Sequence, residues 1–127
     1  MVEFALTVPI ILVLFISVVL FSFMLYSYVT LSHGAREGTR HIVGTPTVSN
    51  ADLTAYVKTK MGILDVDQVV ITITPDPGLR QPGTNVTVTL SYPFHLVNVY
   101  VPYVIAPGGF TMFPPIWLRA VSTMNMD

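Results

Sequence analysis

The sequence predicts an α+β protein: a long N-terminal transmembrane or spine α-helix packed on a small head, which holds a short helix and a three-stranded antiparallel sheet. Three observations lead to this prediction. An apolar run from Phe4 to Ala35 contains no Asp, Glu, Lys or Arg. From Val69 onward the apolar period changes from helical to alternating. Residues that favour turns separate the alternating segments.

The apolar run is long enough to cross a membrane. Residues 4–31 consist mainly of Leu, Val, Ile, Phe and Met, and as a helix they reach about 42 Å, more than the roughly 30 Å of a hydrocarbon core. A secretory signal peptide fits poorly, because its apolar region is shorter and follows a basic segment. We therefore expect a membrane span at about residues 4–31, and a basic leader upstream of the printed sequence.

The first helix is predicted to extend beyond the membrane. Residues 35–40 favour helix, and Gly44 and Pro46 end it, so the predicted organisation is a spine helix over 1–43 and a head over 44–127. Pro9 removes a backbone donor inside the run, which predicts a kink or local break near Val8.

Gly34 and Gly38 are four residues apart and share one face of this helix. Two glycines at this spacing permit close approach of another backbone. The partner is either a neighbouring subunit or the chain's own head, and the sequence leaves both open.

The head is predicted from local signals. Residues 49–61 have a Ser or Asn cap, an acidic first turn, late lysines and a stop at Gly62, which indicates a short helix. Alternating patterns predict strands at 69–74, 86–91 and 116–126, with a loose loop at 75–84. Residues 93–115 are apolar but interrupted by Pro and Gly, so we expect them to cover the sheet or a neighbouring subunit and not to form a second span.

Composition excludes several functions. Charged residues make up 10% of the chain and the net charge is −1, so no nucleic-acid partner is expected. Without Cys, disulfides, thiolate metal sites and Cys nucleophiles are excluded. His33 and His41 share a helix face but lie about 12 Å apart, too far for one metal ion. With no catalytic, metal or cofactor-binding pattern, we do not expect an enzyme.

Glu3 is the most informative residue for function. It lies at the edge of an uncharged run, where burying a carboxylate is costly unless a cation pairs with it. A solvated carboxylate at a helix N-terminus is equally consistent with its position. The alternative partner is the α-amino group of an adjacent subunit, if helices stack side by side with an axial offset.

Three blocks of the sequence carry a resemblance to a known family. They are Val2-Glu3-Phe4-Ala5-Leu6 followed by Pro9, the segment Ala35-Arg36-Glu37-Gly38-Thr39-Arg40, and the closing residues 118–127. Together they resemble the TadE-like pilins of the tight-adherence (Flp) branch of type IV pilus systems. The glutamate is usually fifth in mature chains of that family, whereas Glu3 is third in this sequence.

The resemblance implies a function in assembly. A prepilin peptidase would remove a leader, and an inner-membrane assembly platform would move the chain from the inner membrane into an extracellular filament of many copies of itself. Glu3 would pair with a neighbour's N-terminal amine. The residues that we expect to serve assembly are Glu3, Phe4, Pro9, Gly34, Arg36, Glu37, Gly38 and Arg40.

Two alternatives remain open at this point. Within the same class, the chain would be a minor pseudopilin that primes or caps a filament of another pilin. In a different class, it would be a single-span membrane protein whose head binds a ligand or partner, with the apolar Pro/Gly segment as a groove. The abundance of the chain in purified filaments distinguishes a main subunit from a minor pseudopilin. The absence of prepilin cleavage would indicate the membrane-anchored binding protein.

Overall fold

The computed structural model describes residues 2–62, 64–95, 98–99, 110–111 and 114–126. The fold class is confirmed: a long N-terminal helix, a short helix and a three-stranded antiparallel sheet. The helices are α1 (Val2–Gly44) and α2 (Asn50–Lys60), and the strands are β1 (Val70–Thr74), β2 (Asn85–Phe94), β3 (Asn98–Val99), β4 (Phe110–Thr111) and β5 (Ile116–Asn125).

Helix α1 is continuous over 43 residues and runs through Pro9. The predicted break near Val8 is therefore wrong. A proline removes one backbone hydrogen bond from a helix, and its ring clashes with the carbonyl one turn earlier. The flanking residues keep their own backbone hydrogen bonds, so the helix continues. A bend at this point stays a prediction. The helix ends at Gly44, one residue beyond the predicted end.

Helix α2 begins and ends as its sequence predicts. The Ser49 hydroxyl accepts hydrogen bonds from the backbone N–H groups of Ala51 and Asp52, which satisfies donors that a helix N-terminus leaves free. After the helix, Gly62 has a φ of 59°, the left-handed conformation that favours glycine at a helix end.

The sheet has the strand order β1-β2-β5, with both pairs antiparallel. Alternate residues of the central strand, Val86, Val88 and Leu90, are fully buried beneath α1. On β5 the residues that alternate with the buried Leu118 and Ala120, including Trp117 and Val121, are exposed. The period-2 pattern thus identified the strands and their two faces, and the structure shows which face lies on the core.

Strand β2 is longer than predicted and continues through Pro93 to Phe94. Strand β1 begins at Val70, opposite Ser91, so residues 92–94 pair with β5 alone. Proline is tolerated in a strand that lacks a partner on one side. Much of the predicted covering segment, 96–97, 100–109 and 112–113, lies outside the described residues, and within it β3 pairs with β4.

The core lies between the C-terminal half of α1, α2 and one face of the sheet. Leu31, Ala35 and Ile42 of α1 are buried, at a spacing that puts them on one side of the helix. Gly38 packs beside Val88, and Gly34 beside Leu90. The two β2 residues follow one another in the opposite order from the two glycines, so β2 and α1 run in opposite directions. "Lower" below means toward Val2, and "upper" means toward Gly44.

Candidate assembly surface on the spine helix

The lower spine, residues 3–23, has almost no contact with the rest of the chain. Every residue from Glu3 to Val19 is exposed. Phe4 is 76% exposed, and Phe15 is 66% exposed. Packing on the core begins at Met24, which is half-buried against it. The upper spine, residues 24–44, holds all of the buried residues of α1.

Apolar side chains cover the lower spine on every side, not along one stripe. Such a helix is stable only when its surroundings are apolar on all sides, either lipid or other protein. Within the described residues, α1 is the one helix long and apolar enough to cross a membrane. The predicted membrane association is consistent with this exposure.

The hydroxyl groups of the lower spine are satisfied within the helix itself. Thr7, Ser17 and Ser22 each donate to the backbone carbonyl four residues earlier, at 2.8–2.9 Å. This i to i−4 bond is the usual way for Ser and Thr to lie in an apolar environment. These residues therefore do not require water on the surface of the spine.

Glu3 lies in the first turn of α1, and its side chain is exposed. A negative charge there is favourable, because the helix N-terminus carries partial positive charge. Within the described residues the only ion pair joins Lys58 Nζ and Asp67 Oδ1 at 3.8 Å, so Glu3 has no cationic partner in that part of the chain. Its carboxylate is free to pair with a group from outside it.

Gly34 and Gly38 make their close approach within the chain. A Cβ on Gly34 would lie 3.1 Å from Met61 Cγ, and one on Gly38 would lie 2.8 Å from Val57 Cγ2. The sequence left open whether the glycines approach a neighbouring subunit or the chain's own head. These contacts are with the chain's own head. Any assembly role of these glycines is indirect, through the position of the head on the spine.

The other predicted assembly residues of the helix exit divide into two groups. Arg36 and Arg40 are exposed. Glu37 faces the head, where its carboxylate accepts a hydrogen bond of 3.0 Å from the Tyr56 hydroxyl. His41 packs on the same tyrosine, with ring centroids 4.2 Å apart. Of the three predicted assembly residues, the two arginines are the exposed ones, and Glu37 is half-buried.

Sequence reasoning missed Arg80, a buried side chain that fixes the upper end of the head. Its guanidinium donates to the backbone carbonyls of Val48 at 2.8 Å and Pro46 at 3.4 Å, and to Asn50 Oδ1 at 2.6 Å. Burial lowers the pKa of Arg80, and the charge of Asp76 opposes this shift. Because these three partners lie 30 to 34 residues away in sequence, no local signal indicated the contacts.

An apolar groove lies where the lower edge of the head meets the spine. Its volume is about 820 Å³, and its walls include Phe23, Tyr26 and Ser27 of α1 with Leu64, Phe94 and His95 of the head. One alternative drawn from the sequence assigned a groove to the apolar segment 93–115, to which Phe94 and His95 belong, whereas the contribution of the spine was not predicted. Across the described part of the chain, no three His, Asp or Glu side chains come together as a candidate metal site.

An exposed apolar spine and a folded head packed on its upper half are features of proteins that one N-terminal helix anchors in a membrane. Residues 1–40 match the family model of the TadE-like proteins. The match covers the spine and ends at Arg40, so it does not extend to the head. Comparisons with curated proteins and with solved structures found no match.

Proposed function

We propose that this chain is a structural subunit of a Tad (Flp) type IV-like pilus, assembled through its lower spine. The observation that carries the proposal is the exposure of the lower spine on all sides. A simple membrane anchor also has this property, but the family match covers the spine itself. The part of the molecule that matches the family model thus includes the part that is left without a partner in the single chain.

On this proposal, the subunit first stands in the inner membrane and then enters an extracellular filament. In lipid, helix association gains little from the hydrophobic effect, because the acyl chains are as apolar as the spine. In a filament surrounded by water, separating the spines would expose that surface at a cost of about 25 cal/mol per Å². Contact among many spines therefore supplies most of the cohesion of the filament.

Glu3 gives the filament its axial register. When spines replace lipid and water around it, its carboxylate becomes buried, and an unpaired buried charge is strongly destabilising. The N-terminal amine of a neighbouring mature subunit supplies the opposite charge. Only one axial offset between neighbours brings the two groups together. The processing peptidase, the assembly platform and further copies of the chain are the partners of this proposal, which assigns no catalytic activity to the chain.

The test compares Glu3→Ala with Asp52→Ala, which removes an exposed carboxylate from the head. Both variants should insert into the membrane at the level of the parent chain. Glu3→Ala should reduce the yield of sheared filaments at least about tenfold, since a buried unpaired amine costs several kcal/mol. Asp52→Ala should leave the yield unchanged. Normal filament numbers with Glu3→Ala would refute the role of this residue.

A minor pseudopilin that primes or caps the filament is the second candidate, and the family name TadE-like favours it. It uses the same spine contacts but only a few copies for each filament. Quantitative mass spectrometry of purified filaments distinguishes the two. An abundance equal to that of the most abundant filament protein supports the main subunit, and trace abundance supports the pseudopilin.

A further inference from the structure

The head occupies part of the helix that the sequence assigned to the membrane. Met24 packs on the core, and Ser27 and Leu31 are 5% and 0% exposed. The apolar length below Met24, the first side chain packed on the core, is therefore residues 4–23, whose upper end lines the groove beside the head. As a helix these residues extend about 30 Å, which equals the hydrocarbon thickness of a typical bilayer. No free spine remains between the membrane and the head.

The lower edge of the sheet lies just above this point. Trp117 pairs with Pro93, five residues below Val88 on β2, or about 17 Å along the strand. Val88 is level with Gly38, and about 17 Å down α1 from Gly38 is roughly eleven residues. Trp117 is thus level with Ser27, a few ångströms above the end of the free apolar segment.

The side chains at this level are those that favour a lipid interface. Trp117 is 60% exposed, and Tyr26 and Tyr28 are 48% and 46% exposed. Tyr and Trp concentrate where lipid head groups meet the hydrocarbon core. Arg119 is exposed on the same face of β5, two residues above Trp117, within reach of lipid phosphates. Asp65 is an acidic residue of the head, and its carboxylate accepts a hydrogen bond from Gln68 Nε2 at 2.8 Å.

We propose that, before assembly, the head rests directly on the bilayer with its lower edge in the interfacial zone of the leaflet on that side. Trp117 and Tyr26 lie among the lipid head groups, and phospholipid acyl chains fill the apolar groove beside Phe23 and Phe94. We assign lipid as the occupant of the groove because the length of the free helix equals the thickness of the bilayer's hydrocarbon core. The proposal rests on the membrane-inserted stage of the proposed function, but not on filament assembly.

Trp117 is the only tryptophan in the chain, so its fluorescence reports this contact directly. The full chain is reconstituted in phosphatidylcholine and phosphatidylglycerol vesicles whose acyl chains are brominated near the glycerol end. Two control chains carry Trp117→Phe with a new tryptophan elsewhere. Phe15→Trp places it in the middle of the lower spine, and Leu79→Trp places it in the exposed loop at the upper end of the head.

Bromolipid should lower the Trp117 emission relative to unbrominated vesicles, because an interfacial tryptophan lies beside the brominated part of the acyl chains. Phe15→Trp should be quenched more strongly by lipid brominated at the chain ends, and Leu79→Trp should not be quenched. Quenching of Trp117 no greater than that of Leu79→Trp, with Phe15→Trp quenched, would overturn the resting position of the head and leave the membrane-inserted stage intact. Absence of quenching at all three positions would overturn both.

Discussion

The lower and upper halves of one helix have opposite relations to the rest of the chain. Both belong to one continuous helix, yet every residue of the lower spine except the half-buried Leu20 is exposed, whereas the upper spine contributes Leu31, Ala35 and Ile42 to the core. The two halves differ in charge, which only the upper spine carries beyond Glu3, and in side-chain size. The upper spine carries small residues where the sheet approaches, namely Gly34, Ala35, Gly38 and Thr39, and the lower spine carries no glycine.

This contrast shows how a single helix can serve two environments. Small residues let the sheet and α2 approach closely, so the upper spine completes an ordinary protein core. Bulky Phe, Leu and Ile on all sides of the lower spine leave no surface for the head to pack on. Those residues are suited to lipid and, on the proposed function, to other spines. The contrast can be tested by making the same type of substitution in each half of the helix and comparing the effects on stability.

The largest effect is expected from shortening one leucine in each half. Leu31 is fully buried and Leu12 is 56% exposed. Leu31→Ala should lower the free energy of unfolding of the head by about 2–5 kcal/mol, because it removes core contacts and leaves a cavity. Leu12→Ala should change it by less than about 0.5 kcal/mol. Urea unfolding in detergent micelles, followed by circular dichroism, measures both, and equal effects would abolish the distinction between the halves.

A somewhat smaller effect is expected at Arg80, which fixes the upper end of the head. Arg80→Gln should lower the free energy of unfolding by about 1.5–3 kcal/mol, since it removes charged hydrogen bonds to the Val48 carbonyl and to Asn50. Arg119→Gln is the matched control, because Arg119 is exposed. The same urea titration applies. A loss at Arg119 as large as that at Arg80 would contradict the anchoring role of Arg80.

The smallest of the three effects is expected at the glycines. Gly38→Ala should lower the free energy of unfolding by about 1 kcal/mol, because the added Cβ would lie 2.8 Å from Val57 Cγ2 and the better helix propensity of Ala offsets part of that cost. Gly44→Ala meets nothing within 4 Å and should be neutral or slightly stabilising. If Gly38→Ala also proves neutral, the head does not require a residue without a side chain at position 38 of the spine.

The sequence predicts the parts of the structure that depend on local patterns. Ser49 and Gly62 define the ends of α2, and the alternation of residues 116–126 identifies β5 and its two faces. These signals are local because caps and strand faces depend on residues a few positions apart.

Features that depend on distant contacts could not be predicted in this way. Arg80 bonds to residues far away in the chain. Pro93 lies inside β2 because β1 begins beyond it, which no pattern around the proline reveals. The upper limit of the free apolar segment is a third case, since residues 24–31 also lack charge and only the folded head shows that Met24, Ser27 and Leu31 are covered by it.

The most direct test of the central claim is the accessibility of single cysteines, which the Cys-free chain makes simple. Leu14 and Leu79 are 65% and 66% exposed in the chain alone. In intact membranes and in sheared filaments, a water-soluble maleimide should label Leu79→Cys fully and leave Leu14→Cys unlabelled. Equal labelling at the two positions would contradict the claim that lipid, and then neighbouring spines, cover the lower spine.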